Sequence, residues 1–309
     1  MKRTVSSLAL VGVLLVGVAA CGSSSDASGS PSDTTTAAAG GSGADDGRDL
    51  GNVLALGEEF LLADLLSLGV KPVASTATSS DAGWQGLDGF DTEGVEILPN
   101  TEANVEHLAS LDIDTVIVQQ YVIDQVGREK LEALGEVIVA PTGTGDEELT
   151  ELGKLVGRED RAAELVDQLD TATAAAEDAA GDGCEVSLAT IYPGPTPAAW
   201  VAAPNNAAIA LEDMGCTLVP SVEDGKADGA GRIYLSLENL GELSAPQMIL
   251  LQSSTVPGED ASLDQVEGES LWKQLPAVEA DQVTTLDRLG YPGVAGLIRL
   301  YDELGKVVG

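Results

Sequence analysis

Short apolar runs alternate with helical stretches along this chain, and that alternation restricts the fold more than any other feature of the sequence. In the first half, strands are predicted at residues 53–56, 72–74, 96–98, 115–118 and 137–140. Between them, apolar residues recur at the three- and four-residue spacing of helices. Strand and helix in regular alternation are typical of parallel βα units. We therefore expect a first α/β lobe over residues 49–157.

Residues 158–180 break this alternation, because they contain no Gly or Pro and are rich in Ala, Glu and Asp. Their apolar residues fall on one helical face: Ala162, Leu165, Val166 and Leu169. At about 1.5 Å per residue such a helix is roughly 30 Å long. Gly181 and Gly183 end it. The pattern predicts a single long helix over residues 158–181.

A second alternating series follows the long helix. Its strands are predicted at residues 185–191, 216–219, 248–251 and 283–286, and its closing helix at 294–308. We expect the second lobe over residues 182–309. The predicted fold class is α/β, with two small Rossmann-like lobes of mostly parallel sheets joined by one long rigid helix. A ligand of such an architecture is expected in the crevice between the lobes.

The amino terminus has the pattern of an export signal. Lys2 and Arg3 precede an apolar run over residues 8–20, and Cys21 follows Val-Ala-Ala. A basic start, an apolar stretch and small residues before the cleavage site are typical of secretory signals. The cysteine directly after them resembles a bacterial lipobox, in which Cys21 becomes the lipidated first residue. The alternative is an ordinary secretory signal followed by a cysteine.

Residues 1–20 are therefore predicted to be a lipoprotein signal peptide, and residues 21–48 a lipidated cysteine with a flexible tether. The tether consists mostly of Ser, Gly, Ala, Thr and Asp, and such segments bury too little apolar surface to become ordered. The apolar run is shorter than the roughly 20 residues that span a bilayer. We expect an extracytoplasmic protein held on the outer face of the cell membrane by acyl chains on Cys21.

The charge of the chain excludes one class of partner. The formal net charge is −36, from 51 acidic and 15 basic residues. Nucleic-acid binding needs a basic surface, so we expect no nucleic-acid partner. High net charge instead suits a solvated extracellular protein.

Two cysteines remain besides Cys21, namely Cys184 and Cys216. In an exported chain a disulfide between them is expected; the alternative is two separate buried thiols. The two cysteines lie beside the first two predicted strands of the second lobe. Parallel neighbouring strands would bring them within reach of each other.

Catalytic and metal-binding motifs are missing from the sequence. It contains neither G-x-S-x-G nor H-E-x-x-H, and His107 is its one histidine. A site for bare zinc or manganese would need several His and carboxylate ligands. We expect no enzyme activity, no cofactor and no metal bound directly by the protein. A pair of catalytic carboxylates stays open as an alternative, because acidic residues occur throughout the chain.

Three segments resemble the solute-binding proteins of siderophore and cobalamin ABC importers. Residues 65–74 (LLSLGVKPVA) are similar to the family's LLALGVKPVG, and residues 235–240 (LSLENL) to its SLEQL. Residues 99–117 (PNTEANVEHLASLDIDTVI) are similar to its PNLEAILALKPDLII, with Ile113 in place of the proline. The resemblance extends over residues 53–309 and is more specific for the family than for the ligand.

The resemblance implies a monomer that captures a ferric siderophore between its lobes and delivers it to a membrane permease driven by an ATPase. It also implies that Glu102 and Glu238, one on each lobe, pair with arginines of the permease. The alternative for both is that they favour the positive end of a helix. Cobalamin or haem as the ligand, a lipid-anchored sensor or adhesion protein, and an extracellular enzyme are the other interpretations.

Aromatic residues make up only 3% of the chain, so their positions are informative. Six of them fall in predicted loops or at strand ends, which rim the cleft in this family: Trp84, Tyr121, Tyr192, Trp200, Tyr234 and Tyr291. Their faces suit bulky amphipathic ligands, with local packing as the alternative. Arg288 is a candidate for an anionic ligand group or for a surface ion pair. Glu58 and Glu59 also point at the cleft in a βα architecture.

Overall fold

The computed structural model of the chain describes residues 47–99, 105–143, 145–181, 183–224 and 227–309. The predicted signal peptide, Cys21, the tether up to residue 46 and Glu102 lie outside the described residues. Of the helices in the described ranges, none is both long enough and apolar enough to cross a membrane.

Five parallel strands form the sheet of the first lobe: β1 (Val53–Leu56), β2 (Ala74–Ala77), β3 (Glu96–Pro99), β4 (Thr115–Val118) and β5 (Glu136–Val139). Their spatial order is β3-β2-β1-β4-β5, so the first strand is central. The helices of this lobe are α1 (Glu58–Ser67), α2 (Val105–Leu108), α3 (Gln120–Val126), α4 (Arg128–Glu132) and α5 (Gly145–Val156).

The central strand β1 is buried on both of its faces. Val53 and Ala55 belong to a core shared with α1 and α5, whereas Leu54 and Leu56 belong to the opposite core together with Val116 of β4. Side chains alternate between the two faces of a strand, and a parallel sheet covered by helices on both faces needs apolar residues on each. This explains why the strand is a continuous apolar run in the sequence.

Two long helices, α6 (Glu159–Ala180) and α10 (Gly293–Val308), run side by side between the lobes. Gly305 of α10 faces Ala176 of α6, and a Cβ atom at Gly305 would lie at an ordinary contact distance of 3.4 Å from the Ala176 Cα atom. The hydroxyl of Tyr301 donates to Asp213 of the second lobe at 2.8 Å. One hydrophobic core continues along both helices from the first sheet to the second. The lobes are therefore tied together by two helices rather than one.

The sheet of the second lobe has six strands: β6 (Glu185–Tyr192), β7 (Thr196–Trp200), β8 (Thr217–Leu218), β9 (Arg232–Tyr234), β10 (Gln247–Gln252) and β11 (Val283–Asp287). Its order is β11-β10-β6-β7-β9, and β8 pairs with β6. Strand β7 is antiparallel to both of its neighbours, β6 and β9, and the pairings of β10 with β11, β10 with β6 and β8 with β6 are parallel. The helices of this lobe are α7 (Asn206–Asp213), α8 (Glu259–Glu267) and α9 (Pro276–Glu279).

The predicted fold class is confirmed: the chain forms two α/β lobes with mostly parallel sheets, connected by the long helix α6. Some elements differ from the prediction. The sequence pattern predicts one helix over residues 122–134, between the fourth and fifth strands. The structure has two helices there, α3 and α4, because Gly127 between them has a φ of +92°, a value that glycine adopts readily. Strands β7 and β9 were not predicted. The first contains Pro197 and the second is three residues long, so neither shows a clear alternating pattern.

A disulfide joins Cys184 and Cys216, whose Cα atoms are 4.5 Å apart. Strands β6 and β8 pair in parallel with Glu185 opposite Thr217, so the cysteine before each strand lies next to the other. The two cysteines are 32 residues apart in the sequence, and closing a loop of that size stabilises a fold by roughly 3–4 kcal/mol.

Candidate functional site

A cavity of about 360 Å³ lies between the two lobes, and we refer to it as the inter-lobe cavity. Its wall on the first lobe includes Glu59, Phe60, Thr78 and Gln85. Its other wall includes Trp200, Asn205, Asn206, Arg288 and Tyr291. The volume is typical of a small-molecule site, which is on the order of 300–1,000 Å³.

The cavity lies where parallel strands end. Glu59 follows β1, Thr78 follows β2, and Arg288 follows β11. Ligands of parallel α/β sheets bind at the carboxyl ends of the strands, because the loops there converge on one crevice. Glu59, Thr78 and Arg288 therefore lie at the same cavity because each follows the carboxyl end of a parallel strand.

Glu59 is a buried carboxylate on the first-lobe wall, with 3% of its surface exposed. Its Oε2 accepts hydrogen bonds from the Thr78 amide at 3.0 Å and the Thr78 hydroxyl at 2.7 Å. Its Oε1 accepts from the Gln85 amide at 3.3 Å. Glu59 therefore fixes the segment after β2 with three neutral donors.

A hydrogen bond joins the two lobes directly beside the cavity. The Thr255 hydroxyl donates to the Gln85 side-chain oxygen at 2.7 Å. Thr255 also shares a 2.9 Å hydrogen bond with the Ser253 hydroxyl, and the Ser253 amide donates to Glu259 at 2.8 Å. This chain of polar contacts connects Glu59 on one lobe with Glu259 on the other.

Glu259, which does not itself line the cavity, holds the side chain of Arg288 in place. The Glu259 side chain is fully buried, and its Oε1 accepts a hydrogen bond from Nη2 of Arg288. The Arg288 guanidinium also lies 5.5 Å from the ring centre of Tyr192. Its Nε is buried and has no hydrogen-bond partner among the described residues. A buried donor without a partner is costly, so a ligand oxygen that accepted from Arg288 would bind favourably.

Arg232 lies at the centre of an aromatic cluster next to Arg288. Its guanidinium is 5.2–5.5 Å from the ring centres of Tyr192, Trp200 and Tyr234. It donates to the Tyr192 hydroxyl at 3.0 Å and to Asp228 at 3.0 Å. Both hydrogen bonds raise the pKa of Arg232 above its usual value, and the bond to Tyr192 has the larger effect. The Arg232 guanidinium is therefore held by Asp228 and Tyr192 and packs against the three aromatic rings.

Trp200 presents its ring to the cavity and is otherwise buried, with 8% of its surface exposed. Its indole N–H donates to the Thr190 hydroxyl at 2.8 Å, and that hydroxyl donates to the Leu251 carbonyl at 2.8 Å. The ring is therefore held rigidly, so it can offer an aromatic face with little loss of side-chain entropy.

Tyr121 lies outside the cavity wall, partly exposed, with its hydroxyl 3.4 Å from Glu58 Oε1. Burial, followed by the negative charge of Glu58, raises the pKa of Tyr121 to about 12. Tyr291 lines the cavity, and its hydroxyl donates to Glu303 of α10. Burial and that carboxylate raise the pKa of Tyr291 as well, so both phenols stay protonated and act as donors at neutral pH.

The loop at residues 83–90 packs directly on the loop before α10. Gly86 has a φ of +65°, and a Cβ atom there would lie 2.3 Å from the Leu289 carbonyl oxygen. Arg299 of α10 donates to the carbonyls of both Gly86, at 3.0 Å, and Gly290, at 2.7 Å. The first lobe is thus fastened to the rim of the cavity at a second point.

The structure brings some predicted ligand residues together and separates others. Trp200, Arg288 and Tyr291 line the cavity, and Tyr192 and Tyr234 surround Arg232 beside it. Trp84 does not line it and instead packs on a local cluster of Leu62, Ala63, Leu87 and Val95. Glu238 is exposed in the first turn of a short 3₁₀ helix, Leu237–Glu242.

Several residues of the site were not predicted from the sequence. The helical spacing of Phe60, Leu61 and Leu65 predicts that Phe60 belongs to a buried apolar face, yet it is 51% exposed and lines the cavity. No sequence motif marks four further residues as part of the site: Arg232, Gln85, Thr255 and Glu259. The one signal in favour of Arg232 was the scarcity of basic residues, 15 in the whole chain, combined with its place two residues before Tyr234.

Comparison with known protein families gives one match over most of the chain. A model of the family described as periplasmic binding protein matches residues 55–288. No curated protein sequence matches the chain.

Several solved structures share the fold at low sequence identity. Staphylococcus aureus SirA complexed with staphyloferrin B has a TM-score of 0.68 at 20% identity, over 83% of this chain and 92% of SirA. S. aureus FhuD2 with bound ferrioxamine B has a TM-score of 0.64 at 19% identity, over 84% and 98%. The siderophore periplasmic binding protein from the fuscachelin gene cluster of Thermobifida fusca has a TM-score of 0.64 at 22% identity, over 83% and 95%.

Proposed function

The chain belongs to the periplasmic binding protein family, and we propose that it captures a ferric siderophore in the inter-lobe cavity and delivers it to an ABC permease. The family consists of substrate-binding proteins rather than enzymes. Its members act outside the cytoplasm, which agrees with the export signal expected at residues 1–20.

The observation that carries the proposal is the guanidinium of Arg288 on the cavity wall. Glu259 engages only its Nη2, and its buried Nε has no partner within the described residues. Siderophores bind iron through negatively charged oxygens, and a guanidinium donates to such oxygens in pairs. The rigid face of Trp200 beside it suits the bulky apolar part of a chelate. Arg288 and Trp200 both belong to the second lobe.

The similar structures favour the same class of ligand. SirA is complexed with staphyloferrin B and FhuD2 with ferrioxamine B, while the T. fusca protein is a siderophore-binding protein. On that likeness we assign a siderophore to this chain in preference to cobalamin or haem.

The iron is proposed to arrive inside its chelate. In the parts of the chain that the structure describes, no group of three or more His, Cys, Asp and Glu side chains is placed to hold a metal ion. The one histidine, His107, lies 2.6 Å from Glu96 on the surface. The protein would then recognise the outside of the complex and leave the coordination of iron to the siderophore.

Delivery rests on three further proposals. Cys21 would carry the lipid anchor and hold the monomer near its permease, which raises the local concentration of the binder. Glu238 is exposed, so it is available to an arginine of the permease. Glu102, in the corresponding segment of the first lobe, is proposed to dock in the same way.

A fluorescence titration tests the proposal. Purified protein is titrated with ferric hydroxamate, ferric catecholate and ferric carboxylate siderophores, with haem and with cobalamin. We expect saturable quenching of the tryptophan fluorescence by at least one ferric siderophore, with Trp200 as the tryptophan that lines the cavity. Binding of haem or cobalamin alone would move the function to that ligand, and the absence of quenching across all five classes would contradict the proposal.

A further inference from the structure

Glu59 has no counter-charge within the described residues, unlike two other carboxylates near the cavity. Glu259 pairs with Arg288, and Asp228 pairs with Arg232. The hydrogen bonds of Glu59 come from Thr78 and Gln85, which are neutral, and within the described residues it contacts no Lys, Arg or His. It is nevertheless buried, with 3% of its surface exposed.

A buried carboxylate without a cation is unfavourable unless hydrogen bonds or a ligand compensate for it. An ionised carboxylate offers about four acceptor positions, and the three donors named above occupy three of them. Glu59 forms part of the cavity wall. The remaining acceptor position is therefore available to a donor that enters the cavity.

The two walls of the cavity also differ in charge. Arg288 lines it from the second lobe and is positive. A helix amino terminus, which is also positive, lies on each side: that of α7 with Asn206 and Ala207, and that of α1 with Glu59 and Phe60. Glu59 lines it from the first lobe. Because Glu59 and Arg288 form no ion pair with each other, each can act on a different group of a ligand.

We propose that Glu59 binds a cationic, hydrogen-bond-donating arm of the chelate, such as an ammonium or guanidinium group. The ligand is then a siderophore with a positive group on the side that faces the first lobe and acidic oxygens on the side that faces Arg288. This inference rests on the proposed siderophore-binding function and adds the charge distribution of the ligand. The net charge of −36 would further attract a cationic complex.

A structural role is the competing account, because Glu59 also fixes the segment from Thr78 to Gln85. The two accounts make different predictions for a pair of chelates that differ only in one charge. Ferrioxamine B has a free ammonium group, and its N-acetyl derivative has the same iron centre without that charge. Matched pairs of other hydroxamate and catecholate chelates, with and without a free amine, extend the comparison.

For the wild-type protein we expect the amine-bearing member of a pair to bind about 30-fold more tightly than the acetylated member, as for a desolvated charge pair of about 2 kcal/mol. Equal binding of both members, or binding of uncharged chelates only, would overturn the proposal. This comparison needs no variant, so it decides the question even where a substitution impairs folding. Absence of binding by every chelate would instead contradict the siderophore function itself.

The variant Glu59→Gln removes the charge at nearly constant shape. The amide nitrogen that replaces one oxygen cannot accept from Thr78 or Gln85, and this loss is common to both chelates. We therefore expect the variant to weaken binding of the amine-bearing chelate about 30-fold more than binding of the acetylated chelate. An equal loss for both chelates would show that Glu59 is only structural. Glu129→Gln removes the same charge from an exposed site of the same lobe, and we expect it to change neither affinity.

Discussion

The Thr255 hydroxyl donates to the Gln85 side-chain oxygen at 2.7 Å, and this contact joins residues 170 positions apart across the inter-lobe cavity. It connects a loop of the first lobe with the segment that leads into α8 of the second. Through Ser253 and the Gln85 amide, the contact continues to a buried carboxylate on each side. A continuous chain of polar contacts therefore bridges the two lobes beside the cavity, in addition to the packing of the long helices.

Replacing Thr255 with Val should loosen this connection. The variant keeps the shape of the side chain but leaves the Gln85 oxygen without its donor, a loss of about 1 kcal/mol. We expect siderophore affinity to fall about fivefold and amide hydrogen exchange to increase at residues 83–90. Thr171→Val, on the exposed face of α6, is the control. If affinity and exchange both stayed at the wild-type level, the contact would have no role in holding the cavity.

Replacing Arg288 with Lys should weaken ligand binding although the charge is kept. A lysine cannot donate to Glu259 and to the ligand in the fixed geometry of a guanidinium, nor stack on Tyr192 in the same way. We expect at least a tenfold rise in Kd, measured by quenching of the tryptophan fluorescence, with a small change in Tm. Arg128→Lys changes the same residue type in an exposed pair with Glu132 and should bind like the wild type. Wild-type affinity of the Arg288 variant would rule Arg288 out as the ligand anchor.

Asp64 should make the stability of the protein depend on pH. Its carboxyl on α1 accepts a hydrogen bond from the Val294 amide at the start of α10 at 2.8 Å. Burial raises the pKa of Asp64 from 3.8 to about 7, against the lowering effect of that hydrogen bond. The folded state thus keeps a proton that the unfolded chain has already lost between pH 4 and 7. The contribution of Asp64 to the free energy of unfolding must therefore fall as pH rises through this range.

The variant Asp64→Asn keeps the oxygen that accepts from Val294 and removes the titration. We expect its free energy of unfolding in urea to lack the Asp64 component, which has a slope of at most about 1.4 kcal/mol per pH unit. Above pH 7 the variant should be more stable than the wild type. Asp302→Asn, on the exposed face of α10, should retain the wild-type dependence. Identical pH profiles of the wild type and Asp64→Asn would refute the assignment.

Reversing the charges of Glu102 and Glu238 should separate binding from transport. If both residues pair with arginines of the permease, Glu102→Arg together with Glu238→Arg will abolish uptake of the ferric siderophore by cells. The affinity of the purified protein should stay within about twofold of wild type, because Glu238 is outside the cavity wall and carries no part of the proposed ligand contacts. Uptake at the wild-type rate would contradict docking through these glutamates.

Local sequence patterns were sufficient to predict the architecture. The apolar strands, the long helix without Gly or Pro and the cysteines beside two neighbouring strands all depend on residues close together in the chain. Strand β1 shows the reason: its four residues are apolar because both faces of a central parallel strand are covered. The same patterns also showed which loops lie at the ends of strands, and so placed Trp200, Arg288 and Tyr291 near a cavity.

The contacts of the site depended on the tertiary structure. Arg232 forms a hydrogen bond with Tyr192, 40 positions away in the sequence, and Thr255 forms one with Gln85, 170 positions away. Local sequence patterns cannot predict contacts between residues so far apart in the chain. Trp84 and Trp200 look alike as loop or strand-end aromatics, yet one fills a local apolar cluster and the other faces the cavity. The sequence by itself determined two α/β lobes and the family, because these follow from periodicity and motif. The folded chain alone decided which charges are paired and which, like Glu59, are left for a ligand, because pairing is set by distances between elements that folding brings together.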